Sequence, residues 1–394
     1  MPLRKIAMLL AVGLVSPAQA QLLSDPLAPP SWPLGAGELR LNTEASGALF
    51  DSRQPGQRGI QASGVFLLMP ELRRDYDSGL SLRLNGTFAA ADPLSRGGYD
   101  GDAIERLTVS ARTGLGQLEV GLTDGAGDAL DVGGPKVDLD VSLDDPRTSF
   151  YRDPRDGRAV ISLFALRTQA GASSNYAKIV YTSPSLFGAQ LALSFTPSEG
   201  KQLPFLNAGP HLPGRQVEFW EAALRYEIEF ESLSLTGYGA VVESRGEHKL
   251  PGQEGTSDLS FGLRADYPLD EETTVSLGGS WRQSNAYAFD VNRTWQPSTT
   301  RGQHASAMVR HGDWSAGVEF GNGVAKQVAI AGLPRLGLNG TQASLGYELS
   351  PSLHISGGWQ HLSYGRSSGA FYSGAPQLKM DAVFLHLNLK TSEQ

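Results

Sequence analysis

The chain has 394 residues, a formal net charge of −8 and no cysteine. Its acidity makes nucleic acid an unsuitable partner, and without cysteine it cannot use the disulfides open to an exported protein. Beyond the first 20 residues, no apolar run approaches the roughly 20 residues that a membrane helix needs. Two classes remain, a large soluble all-β protein and a membrane β-barrel, whose hydropathy signal is weak in each strand.

The first 20 residues, MPLRKIAMLLAVGLVSPAQA, have the three parts of a secretory signal peptide. Arg4 and Lys5 form a positive start, residues 6–15 are apolar, and Ala18-Gln19-Ala20 is a small-residue cleavage site. The apolar run is too short to favour the alternative of an N-terminal membrane anchor. We expect residues 1–20 to be removed, which takes the net charge to about −10.

A Pro-rich leader covers residues 21–36. After it, alternating segments separated by turn residues continue without a break, which predicts one β domain over 37–394. In DLSFGLRADY, Leu259, Phe261 and Leu263 alternate with polar residues, a period of two that predicts a strand with one apolar face. Sixteen such segments lie near 38–51, 59–69, 80–91, 102–112, 115–123, 175–183, 188–197, 217–228, 231–244, 257–267, 273–285, 302–310, 313–323, 340–349, 352–364 and 380–390.

From the fourth strand on, the connections between these segments alternate between short and long. Tight turns near 113–114, 183–188, 229–231, 268–272, 311–312 and 350–352 alternate with long loops near 124–174, 198–216, 245–256, 286–301, 324–339 and 365–379. Many segments are also longer than the five or six residues usual in soluble strands. Together these features predict an all-β fold, a sixteen-stranded antiparallel transmembrane β-barrel with a polar, water-filled interior. Aromatic residues near the strand ends fit interfacial girdles: Tyr181, Phe195, Tyr226, Tyr267, Trp314, Phe320, Tyr347 and Trp359.

The segment NYAKIVYTSPSLFGAQLALSF, residues 175–195, resembles the general diffusion porins of Gram-negative outer membranes. In that family the stretch after the third loop commonly reads as a strand ending in Tyr-x-Ser-Pro, a short turn with Phe-Gly and a further strand; the matching residues are Tyr181, Ser183, Pro184, Phe187 and Gly188. The resemblance covers essentially the whole mature chain. It implies a homotrimer in which the third loop, here 124–174, folds into each barrel and narrows it. The chain departs from the family in lacking a C-terminal aromatic residue and the Pro-Glu-Phe-Gly-Gly motif.

The third loop contains the segment VDLDVSLDD, residues 137–145, in which apolar and polar residues alternate. An extended chain would set its apolar side on the inner wall and turn the carboxylates of Asp138, Asp140 and Asp144 to water, and Asp145, which follows directly, completes the predicted acidic set. The resemblance implies that loop carboxylates face basic side chains of the early strands, and the candidates by position are Arg40, Arg83, Arg106 and Arg112. Opposed charges across a water-filled gap bias ion permeation.

Two other interpretations of the acidic segment remain open: an ordinary solvated loop and an adventitious divalent-cation site. Asp138, Asp140, Ser142 and Asp144 all offer oxygen ligands, but an EF-hand is excluded because position 143 is not Gly and position 149 is Ser. The seven histidines have no zinc-site spacing, and no G-x-S-x-G or phosphate loop occurs. The sequence therefore predicts no metal site, no cofactor and no enzymatic activity.

These observations predict an outer-membrane porin that lets ions and small hydrophilic solutes diffuse passively through a water-filled channel. Its expected partners are two further copies of the chain, outer-membrane lipids and lipopolysaccharide, and its net acidity predicts weak cation preference. A substrate-selective channel on the same scaffold and a structural or adhesive outer-membrane barrel protein are the alternatives.

Overall fold

The computed structural model describes residues 27–53, 59–91, 104–144, 166–173, 176–198, 216–246, 255–285, 288–289, 295–296, 298–327, 336–366 and 377–391. The predicted signal peptide and the first part of the leader lie outside these ranges. No helix in the part of the chain that the structure describes is long and apolar enough to cross a membrane.

Sixteen long strands form the wall. They are β2 (Gly37–Arg53), β3 (Ile60–Asp75), β4 (Ser81–Ala91), β5 (Ile104–Thr113), β6 (Gly116–Thr123), β7 (Tyr176–Thr182), β8 (Ala189–Ser198), β9 (Gln216–Phe230), β10 (Leu233–Gly246), β11 (Ser257–Pro268), β12 (Thr273–Ser284), β15 (Ser298–His311), β16 (Trp314–Gln327), β17 (Leu336–Ser350), β18 (Leu353–Arg366) and β19 (Gln377–Lys390). Three shorter strands, β1 (Ser31–Leu34), β13 (Ala288–Phe289) and β14 (Trp295–Gln296), and the four-residue helix α1 (Ala126–Ala129) complete the described elements.

Each wall strand pairs antiparallel with its neighbour in the chain, and β19 pairs with β2 to close the barrel. The closing ladder runs from Lys390 opposite Glu44 to Asp381 opposite Arg53. A closed barrel leaves no unpaired edge, so the backbone of every wall strand is bonded on both sides. The sixteen-stranded antiparallel barrel predicted from the alternation is confirmed.

Apolar side chains cover the outside of the barrel, because each strand sends alternate residues to opposite faces. Leu259, Phe261 and Leu263 of β11 are exposed, whereas Asp258 and Ser260, at alternate positions, are buried on the inner face. Several outer aromatics also pair across strands: Phe195 lies 4.6 Å from Trp220, and Trp314 lies 4.6 Å from Tyr347, between ring centroids. Such pairs stabilise neighbouring strands.

Strand β3 extends to Asp75, although the sequence analysis ended the second wall strand at residue 69. Pro70 pairs with Leu41 of β2, while the ladder from β3 to β4 skips from Leu68 to Glu71. A proline has no backbone N–H to donate to a neighbouring strand. It is therefore tolerated at position 70, where the pairing of β3 with β4 is interrupted.

The leader contains a strand that the sequence analysis did not predict. Strand β1 pairs with the first residues of β2, from Leu34 opposite Gly37 to Ser31 opposite Arg40. The connecting turn places Gly35 at φ 63°, which glycine adopts without steric cost. Leu27 N donates to Ser352 Oγ at 2.8 Å, so the leader is bonded to the turn between β17 and β18.

A buried apolar cluster of the described residues lies inside the barrel. It joins Ala126, Leu130, Val132 and Ala170 of the loop after β6 to inward side chains of β8, β9 and β10, among them Phe219, Tyr238 and Val242. This cluster packs the loop onto one part of the inner wall and thereby determines where the open channel lies.

Candidate functional site

The connection between β6 and β7, hereafter the third loop, runs along the inside of the barrel. At its start, Gly127 N donates to Glu221 Oε2 of β9 at 3.3 Å, and Tyr238 Oη of β10 donates to Gly127 O at 2.5 Å. The described contacts then pass along the wall as far as Asn388 of β19. Strands β2 to β6 form the remaining arc of the wall, and the described residues of the loop bond to the wall outside this arc.

Inward-facing glycines make room for the third loop, a feature that the sequence analysis missed. A Cβ on Gly262 of β11 would lie 1.6 Å from Val132 O, and one on Gly317 of β16 would lie 2.8 Å from a Val137 methyl. Glycine is often found where another backbone approaches closely. The other inner-face glycines that touch the loop are Gly278, Gly321, Gly340 and Gly346. In the sequence, the signal was glycine on the polar register of β11, β12, β16 and β17.

The returning end of the loop is held by a buried network on β7 and β9. Lys178 Nζ donates to Ser173 Oγ at 2.8 Å, and Ser173 Oγ donates to a carboxylate oxygen of Glu221. Burying a charge is costly unless it is paired and hydrogen-bonded. The opposite charges of Lys178 and Glu221 therefore suit a dry anchor at the root of the loop.

Asp138 is the best-connected carboxylate of the acidic segment. Only 3% exposed, it accepts hydrogen bonds from His386 Nδ1 at 2.6 Å and from Ser356 Oγ, and from the backbone N–H of Asp140 at 2.9 Å. Burial alone would raise its pKa, but the hydrogen bonds and the charge of His386 outweigh burial and hold the pKa of Asp138 below its usual value. Asp138 thus binds the loop to β18 and β19.

Asp144 forms a second buried contact, within the loop itself. Lys136 Nζ lies 2.7 Å from Asp144 Oδ1, and Ser142 Oγ donates to the same oxygen at 2.6 Å. Although burial opposes ionisation, the charge of Lys136, reinforced by His304, holds the pKa of Asp144 well below its usual range. This pair locks two points of the loop together, eight residues apart in the chain.

The backbone on either side of Asp144 is held to β16 and β17. Leu143 N donates to Glu319 Oε2 at 3.1 Å, and Gln342 Nε2 donates to Val141 O at 2.9 Å. The sequence analysis did not single out these two polar wall residues as loop anchors.

The expected orientation of the acidic segment is wrong for Asp138 and Asp144, because both carboxylates point away from open water. The physical reason is that residues 137–144 follow bends and turns instead of an extended strand, so a period of two does not describe their faces. Leu139 shows the same departure, since it is 77% exposed although alternation placed it with the buried Val137 and Val141.

The other two predicted acidic residues have different positions. Asp140 is partly exposed; its Oδ2 accepts from Asn388 Nδ2 at 2.5 Å and lies 3.7 Å from His386 Nε2. Asp145 lies outside the described residues. Of the predicted set, the structure therefore leaves Asp140 with a carboxylate that water reaches.

Asp131 is a loop carboxylate that the sequence analysis did not single out. Burial, together with the neighbouring charges of Asp144 and Asp128, raises the pKa of Asp131 to about 7. Asp128 itself is bound by Arg167, whose Nη2 lies 3.3 Å from Asp128 Oδ1. Asp131, which belongs to the part of the third loop that packs on the wall, therefore changes its charge near neutral pH.

The four predicted basic residues lie on the arc formed by β2 to β6: Arg40 on β2, Arg83 on β4, and Arg106 and Arg112 on β5. Three are paired with wall carboxylates, since Arg40 lies 2.9 Å from Glu38, Arg83 lies 3.6 Å from Glu71, and Arg106 lies 2.6 Å from Glu119. The arc is thus a row of ion pairs rather than a bare positive surface. Arg112 differs, since its cross-strand neighbours, Ser81 and Gln117, are both neutral.

Two groups on the loop side have donor atoms suited to a divalent cation, Asp138–Asp140–His386 and Asp144–His304–Glu319; in each, the ligand atoms lie within 4.8 Å of one another. Hydrogen bonds from His386 and Ser356 already engage Asp138, and Lys136 engages Asp144. Because protein donors occupy the positions that a cation would take, we assign no metal to either group.

Comparison with known proteins agrees with this geometry. A family model described as Gram-negative porin matches residues 42–367. No curated protein matches the chain by sequence.

Several solved structures share the fold. The outer-membrane channel DcaP of Acinetobacter baumannii is 9% identical with a TM-score of 0.58, covering 92% of this chain and 100% of that one. OmpF of Salmonella typhi is 12% identical with a TM-score of 0.57, covering 91% and 100%. An anion-selective porin from Comamonas acidovorans is 13% identical with a TM-score of 0.52, covering 90% and 99%. With the closed barrel and its inserted loop, the family match over most of the chain shows that this protein belongs to the Gram-negative porin family and forms an outer-membrane diffusion channel.

Proposed function

We propose that the channel is passive and catalyses no reaction, and that ions and small hydrophilic solutes cross it by diffusion. The observation that carries this proposal is the third loop, whose described residues bond to the inner wall along β9 to β19, away from the arc formed by β2 to β6. Water-filled passages of this kind select solutes by width and by the charges along their walls. The family match supports the same function.

The predicted charged residues divide into two roles in this proposal. Asp138 and Asp144 hold the loop in place, while Asp140 supplies acidic charge to the lumen. Asp145, which lies outside the described residues, keeps the acidic role expected from the sequence. Arg40, Arg83, Arg106 and Arg112 line the facing wall, where carboxylates balance the first three. The net acidity of the chain then leaves weak cation preference.

We further propose that the protein is exported through cleavage of residues 1–20 and assembles as a homotrimer within outer-membrane lipids and lipopolysaccharide. The sequence pattern of the first 20 residues supports export. The trimer is supported by the family and by the similar fold of OmpT from Vibrio cholerae in its trimer form, at 9% identity and a TM-score of 0.53.

Single-channel recording of the purified full chain in planar bilayers tests the function. We expect stepwise insertions with a conductance that rises in proportion to the bulk conductivity of KCl, as for a water-filled passage. Failure to conduct in KCl would overturn the proposal and favour the structural or adhesive alternative. Conductance that saturates with KCl concentration would also overturn it, in favour of a channel with a strong internal ion site.

A further inference from the structure

A serine, a histidine and an aspartate form a hydrogen-bonded chain inside the barrel. Ser46 Oγ of β2 lies 2.7 Å from His386 Nε2 of β19, and His386 Nδ1 donates to Asp138 Oδ2 of the third loop at 2.6 Å. A hydroxyl nucleophile, its general base and the carboxylate that orients the base have this order and these distances. The sequence alone does not reveal the set, because 340 positions separate Ser46 from His386 and 248 separate His386 from Asp138.

The hydroxyl of Ser46 is the part of this chain that faces the lumen. Ala48 is buried on the inner face of β2 and Leu49 is exposed on the outer face, so Ser46 shares the inward register of Ala48. Ser46 is partly exposed, whereas His386 and Asp138 are 2% and 3% exposed. A solute in the lumen can therefore reach the hydroxyl, while the ring and the carboxylate lie buried behind it.

The hydrogen bonds determine which ring nitrogen can accept a proton. His386 Nδ1 donates its proton to Asp138, so in the neutral ring Nε2 is the acceptor and the hydroxyl of Ser46 donates to it. When the ring holds a second proton, Nε2 becomes a donor and cannot take the proton of the hydroxyl. The neutral ring is therefore the form that activates Ser46.

The charges around the ring indicate the class of solute. Asp138 and Asp140 of the third loop lie 2.6 Å and 3.7 Å from the ring nitrogens, and Glu44 of β2 is a third nearby carboxylate. Lys390 lies opposite Glu44 and offsets its charge, and His354 of β18 is a further titratable group beside the site. With the ring neutral, two carboxylates remain in excess, so the site attracts a cation and repels an anion.

We propose that Ser46 is a nucleophile that takes the acyl or phosphoryl group of a cationic ester in the lumen, with His386 as its general base and Asp138 as the positioning residue. As Ser46 Oγ bonds to the carbonyl carbon or phosphorus, its proton passes to His386 Nε2. The bond from that atom to the leaving group breaks, and the leaving group keeps the electron pair and then takes the proton from Nε2. The step needs no oxidant, reductant or further reactant.

The adduct remains on the serine, which makes this a modification site in a passive channel. Its hydrolysis would have to expel the serine oxygen, a poorer leaving group than that of an activated ester. The side chain opposite Ser46 on the neighbouring strand is Asn388, whose amide already donates to Glu44 at 3.2 Å and to Asp140 at 2.5 Å. This donor is therefore engaged and does not stabilise the negative charge that develops when water attacks the adduct.

The test reacts the purified full chain with diethylphosphorylthiocholine, an ester with a cationic leaving group, and locates the adduct by mass spectrometry of peptides. The solute control is its neutral analogue, in which a tert-butyl group replaces the trimethylammonium and which leaves the same diethylphosphoryl group on the protein. Each rate is divided by the rate at which hydroxide cleaves that reagent, so that intrinsic reactivity cancels.

Four variants separate the roles of the residues. S46A removes the nucleophile and H386Q removes the base. S52A removes another inward hydroxyl of β2, which is fully buried. S356A removes one bond that holds Asp138, as loss of the histidine does, but it leaves the pair of Ser46 and His386 in place.

We expect one adduct for each wild-type chain, on Ser46, and none on that peptide in S46A. H386Q should react at least about tenfold more slowly, whereas S52A and S356A should react like the wild type. The wild-type rate should rise between about pH 6 and pH 9 as the ring loses its second proton, and the rate in H386Q should lack this rise.

Three results would overturn the proposal. They are no adduct on Ser46 of the wild type, an equal rate in H386Q and the wild type, and an equal loss of rate in S356A and H386Q, which would attribute the effect to the position of the loop. Equal normalised rates for the cationic and the neutral ester would overturn the class of solute. Because mass spectrometry does not depend on conductance, a wild type that is modified but conducts no KCl would overturn the proposed function alone.

Discussion

Three aspartates of one loop meet three different environments. Asp138 is bonded to the wall by His386 and Ser356, Asp144 is bonded within the loop by Lys136, and Asp131 lies half-buried beside like charges. Two of these environments favour the ionised carboxylate, and the third favours the protonated one. The charge of the loop at a given pH is therefore decided by partners that a count of acidic residues does not reveal.

Asp131 should make the packing of the third loop against the inner wall, hereafter its seating, depend on pH near neutrality. Its pKa is about 7 in the seated loop against an ordinary value of 3.8, so the seated loop retains a proton that the exposed side chain has released. Seating therefore weakens as the pH rises from about 4 to about 7 and then stays constant. We expect open-channel current noise to increase between pH 5 and 8 in the wild type and to stay flat in D131N, which is neutral at every pH. D313N, which removes an acidic group from an exposed turn, should keep the wild-type profile; an identical profile in D131N would refute this role.

Asp138 should contribute more to loop seating than Asp140, two residues away. Asp138→Ala leaves two wall donors, His386 Nδ1 and Ser356 Oγ, without their acceptor, at a cost of about 1–3 kcal/mol in seating free energy. Asp140 is partly exposed, and water can replace it as the acceptor for Asn388. We expect limited proteolysis to cut the third loop of D138A faster than that of D140A, with both barrels intact. Equal cleavage of the two variants would contradict the assignment.

At the scale of the elements, the alternation was sufficient to predict the sixteen wall strands, because a strand between lipid and water has to alternate. The alternation did not reveal β1, because a strand of four residues among prolines is too short to show a period of two. The course of the third loop was not readable from its own residues, since several of its contacts are with distant wall residues: Ser194 lies 68 positions from its partner and His386 lies 248 positions from its partner. The inner glycines were visible in the sequence, but their meaning requires the loop that covers them.

The glycine at position 262 should be necessary for the loop to reach its place. Gly262→Ala would set a Cβ 1.6 Å from Val132 O, a backbone atom that cannot rotate away, so the loop has to shift. Gly237→Ala on β10 is the matched control, because a Cβ there meets no atom within 4 Å. We expect single-channel conductance to change in G262A and not in G237A, while circular dichroism shows the same strand content in both. Wild-type conductance in G262A would show that the loop does not press on this wall.

At the scale of the whole molecule, the chain has a net negative charge, whereas most of the charged side chains described inside the barrel are paired with an opposite charge. Three of the four predicted wall arginines have carboxylate partners, and the buried loop carboxylates are matched by Lys136 and His386. The opposite charges of an ion pair largely cancel each other's field at distances greater than a few ångströms from the pair. The field that an ion meets at the mouths therefore comes mainly from the net charge of the chain, which is negative.

Because the cation preference arises from the net charge of the chain, we expect it to depend strongly on ionic strength. A field from distributed charge acts over the Debye length, about 10 Å at 0.1 M salt and about 3 Å at 1 M. Reversal potentials across KCl gradients should show preference for K⁺ with mean salt near 0.1 M, and almost no preference near 1 M. A triple variant, D270N/E271Q/E272Q, removes three acidic groups from one exposed turn and should reduce the low-salt preference without altering the high-salt value. Selectivity that persists at 1 M would instead place its source in direct contacts at the narrow part, and preference for Cl⁻ at low salt would show that Arg112 and its neighbours outweigh the net charge of the chain.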